Sequence, residues 1–170
     1  MKGFHIMKKL QTRDITRLAI VAALYVALTL APGISAFSFG AIQFRISEIL
    51  MLLAFYNPKY SWSLIIGCLI SNIFSPALGA ADLVFGTLAT AVACLLIVLI
   101  NNRNYLLWLV PVICAVVNGL IVGAELYFVS KIPYWATVGT VAIGEFVVVV
   151  IGAVIFYFLM KNKNFSRIIK

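Results

Sequence analysis

Acidic residues are scarce in this 170-residue chain, which carries five Asp and Glu against thirteen Lys and Arg, and charged residues of both signs make up only 11% of it. Soluble domains hold about 25% charged and about 45–50% apolar residues, whereas this chain is 64% hydrophobic. Such a chain has too little polar surface to stay in water. Histidine is reduced to His5 in the N-terminal tail, and no Ser/His, Cys/His or metal-spaced cluster exists, so the usual parts of an enzyme are missing. The glycines never form a phosphate-binding loop followed by Lys-Ser or Lys-Thr, which leaves any energy source outside the chain. Cys68, Cys94 and Cys114 are odd in number, lack close-spaced partners and sit in apolar runs. They suggest neither a disulfide framework nor a zinc site, and read as small buried hydrophobes. No internal repeat appears, so the inverted-repeat design of many secondary transporters has no support.

Apolar runs are what the chain has in abundance: Leu18 to Pro32, Ile46 to Tyr56, Trp62 to Phe74, Leu83 to Ile100, Leu106 to Ala124 and Tyr134 to Met160. A spanning helix needs about 20 such residues. The last three runs are long enough, the first becomes so with its preceding turn, and the second and third are short. Those two are either shielded by neighbours at their ends or form a re-entrant pair, and a re-entrant pair would push Lys59 into hydrocarbon at considerable cost. The expected fold is an all-α integral membrane protein, a compact bundle of six transmembrane helices at about 12–31, 44–56, 60–74, 82–100, 105–128 and 134–160, with four spans as the alternative. Residues 1–170 form a single membrane domain in this reading, because only short basic tails lie outside the bundle. Short connections at 57–61, 101–105 and 129–133 join antiparallel neighbours.

The net charge of +8 is a topology signal rather than a nucleic-acid footprint, because of where the charges lie. Lys2, Lys8, Lys9, Arg13 and Arg17 precede the first span, Lys59 and Arg103 occupy alternate loops, and Lys161, Lys163, Arg167 and Lys170 close the chain. The opposite loops hold only Lys131, plus Arg45 at the start of the second span. The positive-inside rule then puts both termini in the cytoplasm. A cleaved signal peptide over residues 1–40 is the competing reading, but its apolar stretch is long, ends at Pro32-Gly33 and precedes further apolar spans. Residues 32–44 and 75–82, on the external side, are rich in Gly, Ser, Ala and Pro; they suit a lid over a binding site, and ordinary loop chemistry explains them as well.

Five charges remain inside or at the edge of the spans: Arg45, Glu48, Asp82, Glu125 and Glu145. Ionisable groups at membrane depth are expensive and mark a pathway, a binding site or an internal ion pair. Arg45 and Glu48 lie three residues apart on one helical face and are able to neutralise each other. Asp82 opens the fourth span, where a carboxylate caps free N–H groups and favours the helix dipole. Glu125, near the outer end of the fifth span, either reaches the headgroups or joins Asn118, two turns away, in a polar stripe. Glu145 is the hardest to explain structurally, since it sits about eleven residues into the sixth span with no charge within ten positions on either side, so that a structural role needs a distant partner such as Arg45. Aromatics at Phe37, Phe39, Phe44, Phe85, Tyr127, Tyr134 and Trp135 suit an interface belt, and one or two of them suit stacking on a flat ligand. On the first span Ala19, Ala23 and Ala27 recur every four residues, a spacing that lets another helix approach closely, either within the bundle or from a partner.

The segments QFRISEILMLLAFYNP at 43–58, GCLISNIFSP at 67–76 and DLVFGTLATAVACLL at 82–96 resemble the queuosine precursor transporter family, QueT. That family belongs to the substrate-binding S components of energy-coupling factor (ECF) transporters. The resemblance implies six helices, cytoplasmic termini and an alanine motif on the first helix. It also implies a plasma-membrane location in a prokaryote, and as partners a membrane coupling subunit and two ATPase subunits. The implied substrates are 7-deazaguanine precursors of queuosine, such as the cyano and aminomethyl forms or queuine. A guanine-like edge presents an N–H beside an amino group, which a carboxylate accepts in a two-pronged hydrogen bond, and an aminomethyl cation would invite a second carboxylate. The candidate substrate-binding residues are thus Glu145, Glu125, Asn118, Glu48, Arg45, Gln43 and Asp82, with Ala19, Ala23 and Ala27 as the partner-docking face. No catalytic residue, metal, cofactor or nucleic-acid partner is expected beyond substrate, module and lipid bilayer. Competing readings are an S component for another vitamin or nucleobase, a small membrane enzyme and a structural membrane protein.

The charge pattern makes orientation testable. In a cysteine-free background, a cysteine at position 103 should resist an impermeant thiol reagent in intact cells, and one in the 75–82 loop should react. The reverse pattern means that the topology is inverted.

Overall fold

The structure, a computed structural model, describes residues 11–31, 38, 44–75, 79–101 and 104–169. Gln43, Arg103, most of the 32–44 loop and residues 76–78 lie outside the described residues. All described elements are helical, with no strand among them. Helix α1 spans Thr12–Leu30. A 3-10 turn, Ile46–Leu50, continues directly into α2 (Met51–Tyr56), followed by α3 (Tyr60–Ile73) and α4 (Ala80–Leu99). A second 3-10 turn, Asn104–Leu109, leads into α5 (Val110–Ser130), and α6 (Tyr134–Leu159) and the short α7 (Lys163–Ile169) complete the chain. Three stretches, Ala80–Leu99, Tyr105–Ser130 and Tyr134–Leu159, are long and apolar enough to cross a membrane, while Ile46–Tyr56 and Tyr60–Ile73 are apolar but shorter. The chain is an all-helical membrane protein.

Local chemistry sets the helix ends. The Asn57 side chain accepts a hydrogen bond from the Lys59 backbone at 3.2 Å, closing the tight turn between α2 and α3 over Pro58. Proline in the first turn of α5 loses no hydrogen bond there. At its far end Lys131 adopts the left-handed conformation, with φ of 57°, and Pro133 then introduces α6.

The short second helix is the centre of the bundle. Together with its 3-10 turn it touches α1, α3, α4, α5 and α6, and Met51 to Phe55 are all buried. Around it run the neighbouring pairs α1–α3, α3–α4, α4–α5 and α5–α6, and the ring closes where the Ile46–Leu50 turn contacts both α1 and α6. A helix enclosed this way has no lipid to match, so it is free to be short. Lipid tails offer helices no hydrophobic reason to associate, and close van der Waals packing between small residues supplies it instead. Gly119 and Gly123 of α5 lie against Val138 and Ala142 of α6; a Cβ on Gly123 would come within 2.8 Å of Val138 Cγ2. Gly152 of α6 packs against Ile49, and Gly67 of α3 against Tyr25 and the Ala22 carbonyl of α1.

The two ends of the bundle differ. At one end Lys59 bridges Asp14 at 2.8 Å, and the Asn57 amide donates to the Ile169 carbonyl at 3.1 Å, holding α7 back against the bundle. Both partners of that bridge are partly exposed, so water and salt screen it, and it ties two chain segments without stabilising the core. The opposite end collects the last turns of α1, α3 and α5 and the first turns of α4 and α6, and all the buried acidic residues lie toward it or between it and the middle of the bundle.

The α1–α3 contact is open to test. A Cβ at Gly67 would lie 2.8 Å from Tyr25 Cβ and 3.1 Å from the Ala22 carbonyl oxygen, whereas one at Gly139 meets nothing within 4 Å. Gly67→Ala should destabilise the purified protein by about 1–3 kcal/mol, and Gly139→Ala should not. Equal thermal unfolding of the two variants in detergent would mean that α1 and α3 do not meet at Gly67.

Candidate functional site

Helix α1 buries one face, on which Val21, Tyr25 and Thr29 recur every four residues. The Tyr25 hydroxyl donates a short hydrogen bond to Glu48 Oε1 on the central helix. One turn further along, the Thr29 hydroxyl lies 2.8 Å from the Tyr25 carbonyl and 2.7 Å from the Ser47 hydroxyl, joining α1 to the Ile46–Leu50 turn. This turn starts straight after Arg45, whose side chain is as buried as Glu48. Arg45 Nε donates to the Ser38 carbonyl at 3.4 Å, and Nη1 approaches Cys68 Sγ on α3 at 3.9 Å. Its charge acts on Tyr25, Cys68, Glu48 and Glu145, which places the guanidinium where α1, α3, the central helix and α6 converge.

Glu145 projects from α6 into this convergence and interacts electrostatically with Glu48 and Arg45. Its Oε2, like Glu48 Oε2, is buried without a hydrogen-bond partner. A second acidic pair lies beside the first: Glu125 of α5 is adjacent to Asp82 of α4, and Asp82 accepts a short hydrogen bond from the Ser75 hydroxyl. Neither Glu125 oxygen has a donor, although the side chain is fully buried. Buried carboxylates almost always find partners, so these orphaned oxygens call for a physical reason.

Asn72 on α3 borders the same end. Its amide nitrogen lies 3.3 Å from Cys68 Sγ and 3.4 Å from the Thr87 hydroxyl, against Gly86, while its Oδ1 is buried without a partner. Thr90 completes this strip of α3–α4 contact, 3.1 Å from Cys68 Sγ. Asn118 is also buried, but its amide donates to the Cys114 carbonyl of its own helix at 3.1 Å. Among the described residues no three potential ligands converge to hold a metal ion.

The structure thus brings Arg45, Glu48 and Glu145 together, and Asp82 with Glu125; Asn118 stands nearby on α5, and Gln43 lies outside the described residues. Two expectations need correction. Asp82 is not the helix cap: α4 begins at Ala80 after Gly79, so Asp82 is an interior first-turn residue bonded to Ser75. Glu125 does not point out of the bundle: α5 continues to Ser130 and its carboxylate is buried inward. Ala19, Ala23 and Ala27 lie exposed on the opposite side of α1 from Tyr25, and it is Ala22 that packs against α3.

Tyr25, Asn72 and Ser75 escaped the reading of sequence. The four-residue recurrence of Tyr25 and Thr29 in an apolar helix was the available signal for the first. Tyr127, Tyr134 and Trp135 form an edge-to-face chain with ring centroids 6.4 and 5.0 Å apart, and Trp135 is 76% exposed, as suits residues at an interface. A groove of about 270 Å³ between α5 and α6, lined by Val112, Ala115, Val116, Ala142, Ile143 and Phe146, offers almost no polar surface and includes none of the buried charges. It is outer surface rather than part of the site.

Residues 15–161 match the family model described as QueT transporter. A protein named queuosine precursor transporter QueT, from Lactococcus lactis subsp. cremoris (strain MG1363), is 41% identical over 172 aligned residues, covering 95% of this chain and the whole of that protein. No solved structure matches.

Proposed function

The chain belongs to the QueT transporter family, and from that premise we propose that it captures a 7-deazaguanine precursor of queuosine outside a prokaryotic cell. It delivers this ligand through a shared ATP-driven module of one membrane coupling subunit and two ATPase subunits. The family is one of transporters, not enzymes. In this reading the chain crosses the plasma membrane six times as a single domain with both termini inside, so that the end bearing Arg45, Asp82, Glu125 and Glu145 faces out.

The observation that carries the proposal is the buried meeting of Arg45 with Glu145 and Glu48. A guanine-like ring presents a carbonyl oxygen, a ring N–H and an exocyclic amine along one edge. Arg45 supplies donors for the oxygen, and Glu145 accepts from the N–H and the amine as a charge-assisted pair. The unsatisfied Glu145 Oε2 is the acceptor such an edge would fill. Tyr25 holds Glu48 through Oε1 and so keeps its other oxygen turned to the same region. The chain has no nucleotide-binding loop, so coupling to ATP requires a partner. The exposed alanine stripe of α1, flanked by exposed Ile15, Ile20 and Leu24, supplies a close-packing face for one.

Two experiments test these assignments separately. Hydrogen bonds to a charged group contribute about 1.5–3 kcal/mol, so Glu145→Gln should weaken deazaguanine binding by about tenfold to more than a hundredfold in calorimetry. An analogue lacking the exocyclic amine should bind poorly to the parent and lose much less on mutation. Unchanged affinity for every deazaguanine would return Glu145 to a structural role, and binding of a vitamin instead would overturn the substrate. Ala19→Trp or Ala23→Trp should leave binding by the isolated chain intact and abolish uptake when the module is present. Equal loss of both would assign the stripe to the fold of the chain itself.

A further inference from the structure

The buried charges do not balance. Glu48, Asp82, Glu125 and Glu145 are each no more than 1% exposed, and Arg45 is the one basic side chain among the buried residues described. Nor are they evenly served. Arg45 acts on Glu48 and Glu145 and also on Glu125, and the inner pair has a donor besides, the Tyr25 hydroxyl on Glu48. In the outer half, Asp82 with Glu125, the hydrogen-bond donor found among the described residues is the Ser75 hydroxyl, which serves Asp82. Glu125 keeps two fully buried oxygens whose near neighbour is another carboxyl group, Asp82, and among the described residues no N–H or hydroxyl donates to either.

We infer that Asp82 and Glu125 form a subsite for the cationic arm of the ligand, so that the protein selects a 7-deazaguanine carrying a protonated aminomethyl group over its neutral counterparts. This rests on the deazaguanine reading above and extends it from the ring to its substituent. An alkylammonium ion has three N–H donors, enough to meet both Glu125 oxygens and the free lone pairs of Asp82. Its positive charge offsets the acidic excess that Arg45 leaves uncompensated, and burying a carboxylate without a partner is otherwise strongly unfavourable. The spacing agrees. Glu125 lies five residues from the end of α5 and Glu145 eleven residues inside α6, a difference in depth of roughly 9 Å at the helical rise. In the ligand, the aminomethyl arm projects from the five-membered ring, on the far side of the fused system from the exocyclic amine that Glu145 would hold.

The test compares three ligands on the purified full-length chain by calorimetry: 7-aminomethyl-7-deazaguanine, its 7-cyano analogue and the neutral 7-methyl analogue, which matches the aminomethyl arm closely in shape. The parent should bind the aminomethyl ligand at least about tenfold more tightly than the 7-methyl one. Glu125→Gln, and separately Asp82→Asn, should weaken the aminomethyl ligand by about tenfold to a hundredfold and shift the two neutral ligands less than about threefold. Retained binding of the neutral ligands shows that the variants are folded. Equal parental affinity for all three, or a parallel loss for all three in both variants, overturns the cation subsite while leaving the deazaguanine reading standing. Failure of the parent to bind any of them removes both.

Discussion

The central constraint on this protein is the burial of Arg45 among carboxylates. A lone guanidinium inside a bundle is untenable, and so is a lone carboxylate, because each loses its hydration and recovers it only through close partners. Removing one member of such a set typically costs about 3–5 kcal/mol, which is a large fraction of the margin on which folded proteins stand. The helices meeting at Arg45 are therefore held to one arrangement: α3 by Cys68, α1 by Tyr25 and its bond to Glu48, the central helix by Glu48 itself, and α6 by Glu145. The convergence also explains why Ile46–Tyr56 runs through the middle of the bundle. It carries Glu48 and follows directly on Arg45, and charges of this kind have to be shielded from lipid on every side.

Close packing makes that shielding feasible. Gly67 lets α1 approach α3 near enough for Tyr25 to stand over the central helix, and Gly119 and Gly123 seat α6 on α5 so that Glu145 and Glu125 enter the same interior. The glycines and the acids are parts of one device, in which small residues remove the space that water would need and the charges then answer only to each other. What remains unanswered is Glu125, together with the second oxygens of Glu48 and Glu145. Buried acceptors left in this way are what the proposed donor-rich ligand would serve.

Helix α1 has two faces with different tasks. Tyr25 and Thr29 look inward and fasten the polar network, while Ala19, Ala23 and Ala27 look outward with no large side chain over them. A single helix that touches the interior on one side and a proposed partner on the other offers a short physical route between ligand and coupling module, since a shift of Tyr25 and a shift of the alanine face are movements of one rigid rod. Such a route becomes more than spatial adjacency only if α1 has two discrete positions that ligand and partner both bias.

Composition by itself determined the class. A chain 64% hydrophobic with 11% charge has to be solvated by lipid, and helices are then the economical way to satisfy its backbone. Rarity singled out the candidate residues, since five charges in apolar runs stand out without any structure. Family membership was legible for a related reason, because the 43–58 and 82–96 motifs enclose three of those charges, Arg45, Glu48 and Asp82. Sequence could not say which charges meet. The pairing of Asp82 with Glu125, the enclosure of α2 and the inward turn of Glu125 depend on helices far apart in the chain coming together, and no local periodicity records that. Tyr25 and Asn72 were overlooked for the same cause: an uncharged polar residue in an apolar helix looks ordinary until the neighbour it serves is known. The alanine stripe shows the reverse limit. Its spacing was plain, but only the packing of Ala22 on Gly67 decided which face of α1 was left outside.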